Sequence, residues 1–494
     1  MNFFIKGLTV VLLIWSVPAL SQSSTDIRKL TLSECIDIAI ANNISVRQSE
    51  LNVRQNQVAL EQSKVDLLPS VNGNTNFSYN VGRTINQFTN EYVNQPVRQQ
   101  NMSISADVVL FNSFRKLNTI KRNRRDLASS EYGLATQKND ITLDVLQAYT
   151  QILLNQELLR NAEFTNRTTQ SQLERTQRLV DAGSLPIANV LQLEAQQATD
   201  ELTIINAENN LELALLNLKQ ILQIPESEPI EIANLDGEVP ELVSLPESAD
   251  DIYNQAVSTL PQINQAAEDI AARRYDISIA KADFFPRITA SAGIFSQYSS
   301  IAPDSIPRSG TDNVLRVLPT GDFLLVPDGL PGLPVGSRVP VFTEIEFPSE
   351  LTNNTYVNQL DFNYRRFAQI SLNIPIFNNW RTRTNVANAQ IGLENARLNE
   401  LNQRNLLRQT IEQVFLDVRS NAKQYQAAER RVAQLQRAFE DTERRYQAQA
   451  VDIYAYNQAQ NNLTAAEADV LQAKYNYLLS LKVMDFYQGK PLSF

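Results

Sequence analysis

The chain has no histidine and one cysteine, Cys35, in 494 residues. Without histidine, the commonest general base and the commonest transition-metal ligand are both missing. A lone cysteine makes no internal disulfide, so Cys35 reads as a small buried apolar residue. No Walker loop, G-x-G-x-x-G or G-x-S-x-G occurs, and no convergent nucleophile or acid–base set is visible. These absences point away from an enzyme and from a bound cofactor or metal. The net charge is −10. That balance lacks the basic footprint phosphate binding needs, so no nucleic acid is expected as a partner. Beyond the N-terminal segment no apolar run approaches the length of a membrane helix. An exported chain of this kind is either soluble or spans a membrane as strands.

Breakers of helix are also missing over long stretches. No proline lies between Pro96 and Pro186 or between Pro375 and Pro491, and Gly133 and Gly392 are the only glycines well inside those stretches. Phe114 to Ala182 predicts one helix of about 69 residues, roughly 100 Å long. Its apolar positions Ile141, Val145, Ala148, Ile152 and Leu159, and Leu407, Ile411, Val414, Val418, Ala422 and Tyr425 further on, recur at helical spacing. Each set forms one narrow stripe, as on a coiled-coil seam, so each rod must pack along other rods. Asp181 to Pro186 ends the first rod, and a return helix is expected from about Ile187 to Leu222. The matching tip is Gln449 to Asp452, with a return helix to about Asp485.

What the chain does contain, it contains twice. Lys64-Val65-Asp66-Leu67-Leu68-Pro69 returns as Lys281-Ala282-Asp283-Phe284-Phe285-Pro286, a shift of 217. Phe111-Asn112-Ser113-Phe114-Arg115 returns as Phe377-Asn378-Asn379-Trp380-Arg381, a shift of 266, so the second copy carries an insertion of 49 residues. Between these markers the chain alternates. Val71, Gly73, Thr75, Phe77, Tyr79 and Val81 oppose Asn72, Asn74, Asn76, Ser78 and Asn80. Met102, Ile104, Ala106, Val108 and Leu110 oppose Asn101, Ser103, Ser105 and Asp107. Ile288 to Ile294 alternates likewise. Ala368, Ile370, Leu372, Ile374 and Ile376 oppose Gln369, Ser371, Asn373 and Pro375. Period two with Asn and Ser on the polar parity predicts four strands, apolar on one face and wet on the other. Four strands cannot close a barrel, and open edges are forbidden in lipid, so other copies of the chain must complete it.

Lys6, the apolar run Leu8 to Trp15 and Ala19-Leu20-Ser21 predict a secretory signal peptide over 1–21. The expected organisation continues with a first repeat over 22–223 (helix, two strands, long helical hairpin) and a connector over 224–248. A second repeat over 249–485 has the same order with a long outer loop at 299–365, and a tail covers 486–494.

The ordered set of signal peptide, duplicated helix–strand–strand–helix–helix unit, Lys-x-Asp entry and Phe-Asn-x-aromatic-Arg exit resembles the TolC-like outer-membrane factor family. So do the Asp181–Pro186 tip with the following Asn189 to Ala195, and Lys474 to Leu479. The resemblance implies an α+β membrane protein and a homotrimer. Its long helical hairpins form a periplasmic α-barrel, and four strands per protomer build a twelve-stranded transmembrane β-barrel. It implies the outer membrane of a Gram-negative bacterium, with the helices in the periplasm. The implied role is that of exit duct of a tripartite efflux pump or type I secretion system. The tips then open on contact with a periplasmic adaptor (a membrane fusion protein) bound to an inner-membrane transporter. On that reading Asp181, Gly183, Ser184, Gln449 and Asp452 form the adaptor-contact and gating zone. Ala455-Tyr456-Asn457-Gln458 stands where relatives often carry an acidic ring, leaving open a constriction lined by Tyr456 and its neighbours or one served by Asp452. Phe77, Tyr79, Ile104, Ile370 and Leu372 are expected to face outer-membrane lipid. The alternative is a soluble periplasmic coiled-coil adaptor or structural protein.

Overall fold

A computed structural model describes residues 28–86, 90–233, 248–307, 313–325, 338–348, 351–490 and 492. The expected signal peptide and most of the proline-rich connector lie outside the described residues, as do parts of the outer loop and of the tail.

The described chain begins with β1 (Arg28–Leu30), α1 (Leu32–Asn42), α2 (Ile44–Val65) and β2 (Ser70–Asn80). A small hairpin, β3 (Arg83–Ile85) and β4 (Tyr92–Asn94), precedes β5 (Val97–Phe111). The first long hairpin is α3 (Arg115–Asp181) and α4 (Ala188–Leu222), followed by β6 (Ile230–Ile232). The second repeat opens with α5 (Ala249–Thr259), α6 (Pro261–Lys281) and β7 (Arg287–Ser299). Its insertion holds β8 (Ser305–Pro307), β9 (Asn313–Leu325), β10 (Arg338–Pro348), β11 (Leu351–Asn353) and α7 (Tyr356–Phe362). β12 (Arg365–Asn373), α8 (Arg381–Gln447) and α9 (Ile453–Tyr487) complete it.

The duplication is metrical as well as sequential. The outgoing helices α3 and α8 have 67 residues each, and the return helices α4 and α9 have 35 each. The short helices α1 and α5 have 11 each. Each strand-to-helix turn uses two successive left-handed residues, Ser113 and Phe114 (φ 55° and 61°) and Asn379 and Trp380 (52° and 62°). In both, the Arg after the aromatic donates its N–H to the Asn carbonyl, Arg115 to Asn112 at 3.0 Å and Arg381 to Asn378 at 3.1 Å. Non-glycine residues seldom take this conformation. The recurring motif is therefore the sequence trace of an unusual turn.

The chain divides into two compact units. The first comprises Met1–Asn56, Asp126–Asp269 and Asn395–Phe494. Its core lies where the apolar stripes were expected. Ile141, Val145, Ala148 and Ile152 are buried with Cys35, Val46, Leu218 and Leu222, and Leu407, Ile411, Val418 and Ala422 with Ile252, Ile263 and Tyr477. Each short helix starts on a side-chain cap: Thr31 forms a capping box with Glu34, and Ser248 accepts from the Asp251 N–H. Such caps satisfy amides that a helix leaves open. The connector is partly tied down, because β6 pairs in parallel with β1. The Tyr149 hydroxyl donates to the Ala233 carbonyl at 2.9 Å beside them.

The second unit, Gln57–Arg125 and Ile270–Glu394, holds the four-stranded antiparallel sheet in the order β12-β7-β5-β2. Its register aligns the four apolar parities. Val71, Ala106, Ala292 and Ala368 stand in one row, and Val108, Ala290 and Ile370 in another. Residues directly opposite share a face. All apolar parities therefore look one way, and the Asn/Ser parities the other. Gly293 is needed on the polar face: a Cβ there would lie 2.5 Å from the Ile104 carbonyl oxygen and 2.9 Å from the Phe367 ring. One expectation is corrected. The alternation through Ile374 and Ile376 is not strand; β12 stops at Asn373, which pairs with Arg287. Pro286 ends the partner strand there, and Pro375 has no N–H to donate.

Candidate functional site

The two hairpin tips share one backbone solution. At the first, the Gly183 N–H bonds the Val180 carbonyl and the Ser184 N–H the Leu179 carbonyl, both at 2.8 Å. At the second, Gln449 N–H bonds Tyr446 (3.0 Å) and Ala450 N–H bonds Arg445 (2.9 Å). This is the Schellman closure, which needs a left-handed residue at the turn. Gly183 supplies it at φ +73° and Gln449 at φ +56°. Three residues on, the tips diverge. Asp452 caps α9 by accepting the Ala455 N–H at 2.9 Å, whereas Pro186 stands at the matching place and α4 has no side-chain cap. Asp181, Gly183, Ser184, Gln449 and Asp452 are all exposed. Asp181 is held by the Gln177 amide at 2.8 Å.

Tyr456 is placed differently. It is 2 % exposed, packed with Leu193 and Ile453, with Leu173, Phe439 and Tyr446 around them. Its ring lies 5.4 Å from Phe439 and 5.0 Å from Tyr446. Burial pushes its hydroxyl up to about 12, aided by Glu443 and Tyr446 and opposed by Arg175. In this protomer Tyr456 therefore lines no surface; it joins the first hairpin to the second. Farther from the tips, a polar layer replaces the apolar one. Thr169 donates to Asp200 at 2.6 Å, and Gln196 donates to the same carboxylate at 2.8 Å. Gln460 of α9 reaches Thr169 at 3.2 Å, and Asn461 reaches Gln196 at 3.2 Å. Thr169, Asp200 and Gln460 are buried, and the Gln460 side-chain oxygen has no partner. The sequence gives no sign of this layer, because isolated Thr, Asp and Gln on polar-rich helices look like solvated faces.

The five residues expected to face lipid stand on one face of the sheet. Phe77, Tyr79, Ile104, Ile370 and Leu372 are 50–73 % exposed. Among the described residues no apolar layer covers them, and an exposed apolar face of this kind marks a site of interaction. Edge strands β2 and β12 pair with nothing further among the described residues. Among those residues no His/Cys/Asp/Glu group is placed to hold a metal ion, and no helix is long and apolar enough to cross a membrane.

Against known proteins, the sequence profile described as outer membrane efflux protein matches residues 35–222 and 353–488. The probable outer membrane lipoprotein SilC of Salmonella typhimurium is 23 % identical over 285 residues, 58 % of this chain and 59 % of that protein. The pyoverdine export outer membrane protein OpmQ of Pseudomonas aeruginosa is 26 % identical over 174 residues, 34 % of this chain and 35 % of that protein. The matches thus span between about a third and three fifths of those relatives. The crystal structure of CusC, a transmembrane channel, superposes with a TM-score of 0.69 at 19 % identity, covering 96 % of each chain.

Proposed function

We propose that this protein is a passive exit duct, taking as premise that the chain belongs to the outer membrane efflux protein family. Its place is the outer membrane, with the long helices in the periplasm. Three copies would give twelve strands and twelve long helices, closing a β-barrel and an α-barrel. The observation that carries this reading is the sheet: its apolar parities share one exposed face while both edges stay unpaired among the described residues. Lipid tolerates the face but not the edges, because an unpaired backbone group in hydrocarbon costs several kcal/mol. A neighbouring copy removes that cost. A soluble adaptor would instead leave the same face against water.

The duct makes and breaks no bond. Energy for export comes from an inner-membrane transporter, linked through a periplasmic adaptor. The gate is assigned to the tips. Asp181, Gly183, Ser184, Gln449 and Asp452 offer the adaptor an exposed surface, and Tyr456 holds the second tip against the first. Opening separates the hairpins there. The polar layer around Asp200 favours separation, since water replaces its hydrogen bonds more readily than it replaces apolar contacts.

The test is oligomer size and conductance. Detergent extracts of the outer membrane should give a heat-sensitive species of three copies, which forms channels of low conductance in planar bilayers. Tyr456→Ala should raise the conductance. A single copy, monodisperse in plain buffer, would end the reading.

A further inference from the structure

The internal repeat preserves strand register as well as helix length. The shifts of 217 and 266 residues that relate its two copies carry the pairing of β2 with β5 onto that of β7 with β12 without a slip. Ala106 opposite Val71 becomes Leu372 opposite Ile288, and Ile104 opposite Gly73 becomes Ile370 opposite Ala290. One pairing has no counterpart among the described residues. β5 pairs with β7, joining the repeats, but their equivalents β12 and β2 are the two edges of the sheet. Under the same shifts, Ala106 opposite Ala292 becomes Leu372 opposite Thr75, and Ile104 opposite Ile294 becomes Ile370 opposite Phe77. That register keeps both parities, since Ser371 then meets Asn76 and Gln369 meets Ser78. A slip of one residue would set apolar against polar throughout. An ion pair accompanies the joining strands: Arg115, after β5, pairs with Asp283, before β7. The same shifts turn these into Arg381 and Asp66. Arg381 follows one edge strand and Asp66 precedes the other, and among the described residues neither is in an ion pair.

We infer that β12 pairs with β2 of a neighbouring copy in this register, and that Arg381 of one copy meets Asp66 of the next. An exposed ion pair adds little energy; its use here is to align the seam. The inference rests on the reading above, in which other copies close the edges.

Disulfide trapping in the detergent-extracted oligomer tests it, on a Cys35→Ser background. Leu372→Cys with Thr75→Cys should give covalent species of up to three copies after oxidation and boiling. Within one copy these positions stand three strand spacings apart, about 14 Å, too far to link. Ala106→Cys with Ala292→Cys is the equivalent pair inside a copy and should close without joining copies. Leu372→Cys with Phe77→Cys, displaced by two residues on the same face, should leave the copies unlinked. Arg381→Asp sets two acids together across the seam and should lower the temperature at which the oligomer dissociates. Asp66→Asn in the same chain removes the facing acid and should recover part of that loss. Linking through Phe77 as readily as through Thr75 overturns the inference. So does an open Leu372 and Thr75 pair where the Ala106 and Ala292 pair closes, or no recovery by Asp66→Asn. Each leaves the duct of three copies standing, as heat-sensitive mobility verifies. Where a cysteine pair blocks assembly or the pair inside a copy stays open, the charge exchange decides alone. Recovery of the protein as a soluble single copy overturns both.

Discussion

The two repeats meet the same backbone demands with different residues. At the tips, the left-handed position is Gly183 in the first and Gln449 in the second. At the ends of the return helices the choice is reversed, Gln223 (φ 56°) in the first and Gly489 (φ 70°) in the second. The outgoing and return helices keep equal lengths throughout. What the comparison teaches is that hairpin geometry is held by helix length and Schellman closure, while side chains around each turn are free to specialise. The second tip has specialised most. It carries the strained residue, the Asp452 cap and the Tyr456 anchor, whereas the first has Gly183, Pro186 and, at the place of Tyr456, the smaller Val190.

The largest effect should come from that anchor. Tyr456→Ala empties a buried aromatic site, at a cost of about 3–5 kcal/mol as for other large core aromatics. Val190→Ala, at the matching place, should cost clearly less. Thermal melts of the two variants in detergent make the comparison, and equal losses would make the tips equivalent. The same anchor carries a pH signature. Tyr149, Tyr425, Tyr456 and Tyr475 are each raised from 10 to about 12, chiefly by burial. A folded-state pKa above the unfolded one means stability is whole below pH 10 and is lost as pH rises through 12. Melting temperature should fall across that window, and less steeply in Tyr456→Phe.

Next in size is a contrast between neighbours in the second repeat. Ile370→Arg puts a charge on the apolar face and should cost about 2–4 kcal/mol per copy at mid-membrane depth. Ser371→Arg points the other way and should leave the assembled oligomer intact while altering its conductance. Val108→Arg in the first repeat, in the same row as Ile370, should behave as Ile370→Arg does. Oligomer yield and single-channel recordings decide; equal damage at 370 and 371 would contradict the shared apolar face.

Much of this architecture is legible in the amino-acid sequence. The 67-residue rods follow from missing proline and glycine, the seams from Ile141 to Ile152 and Leu407 to Ala422, and the strands from strict period two. The first tip is readable through Gly183 and Pro186. The second is harder, because Gln449 gives no turn signal and its left-handed conformation is imposed by closure between two long helices. Position in the chain places Tyr456 near that tip but says nothing of its burial. The burial depends on Leu193 and Phe439, residues distant in sequence, and no local pattern encodes such a meeting. Helix α7 is likewise hidden, because seven residues in a proline-rich insertion carry too little periodicity to declare a helix.

A cap deletion should be smaller again. Asp452→Ala removes the side-chain acceptor that caps the α9 N-terminus and should cost about 1 kcal/mol. Ser184→Ala in the first tip removes no cap and should stay within about 0.5 kcal/mol. Chemical denaturation of both variants checks the difference, and an equal response would mean that Asp452 is not acting through the Ala455 amide.

The smallest effect is the exchange at the turn itself, and it should be opposite in sign in its two directions. Gly183→Gln introduces a side chain at φ +73°, where L-residues are disfavoured by about 1–2 kcal/mol. The loss is partly offset because glycine leaves a more disordered unfolded chain, by about 0.4–1 kcal/mol. Gln449→Gly relieves the same strain and incurs the same unfolded-state entropy, so its net gain should be no more than about 1.5 kcal/mol. A loss at 183 with a gain of similar size at 449 would place both tips in the left-handed region in the assembled duct. If Gln449→Gly instead destabilised the protein by more than entropy explains, the Gln449 side chain itself would be making a contact in the assembled duct. The second tip, not the first, would then be the place to look for the adaptor.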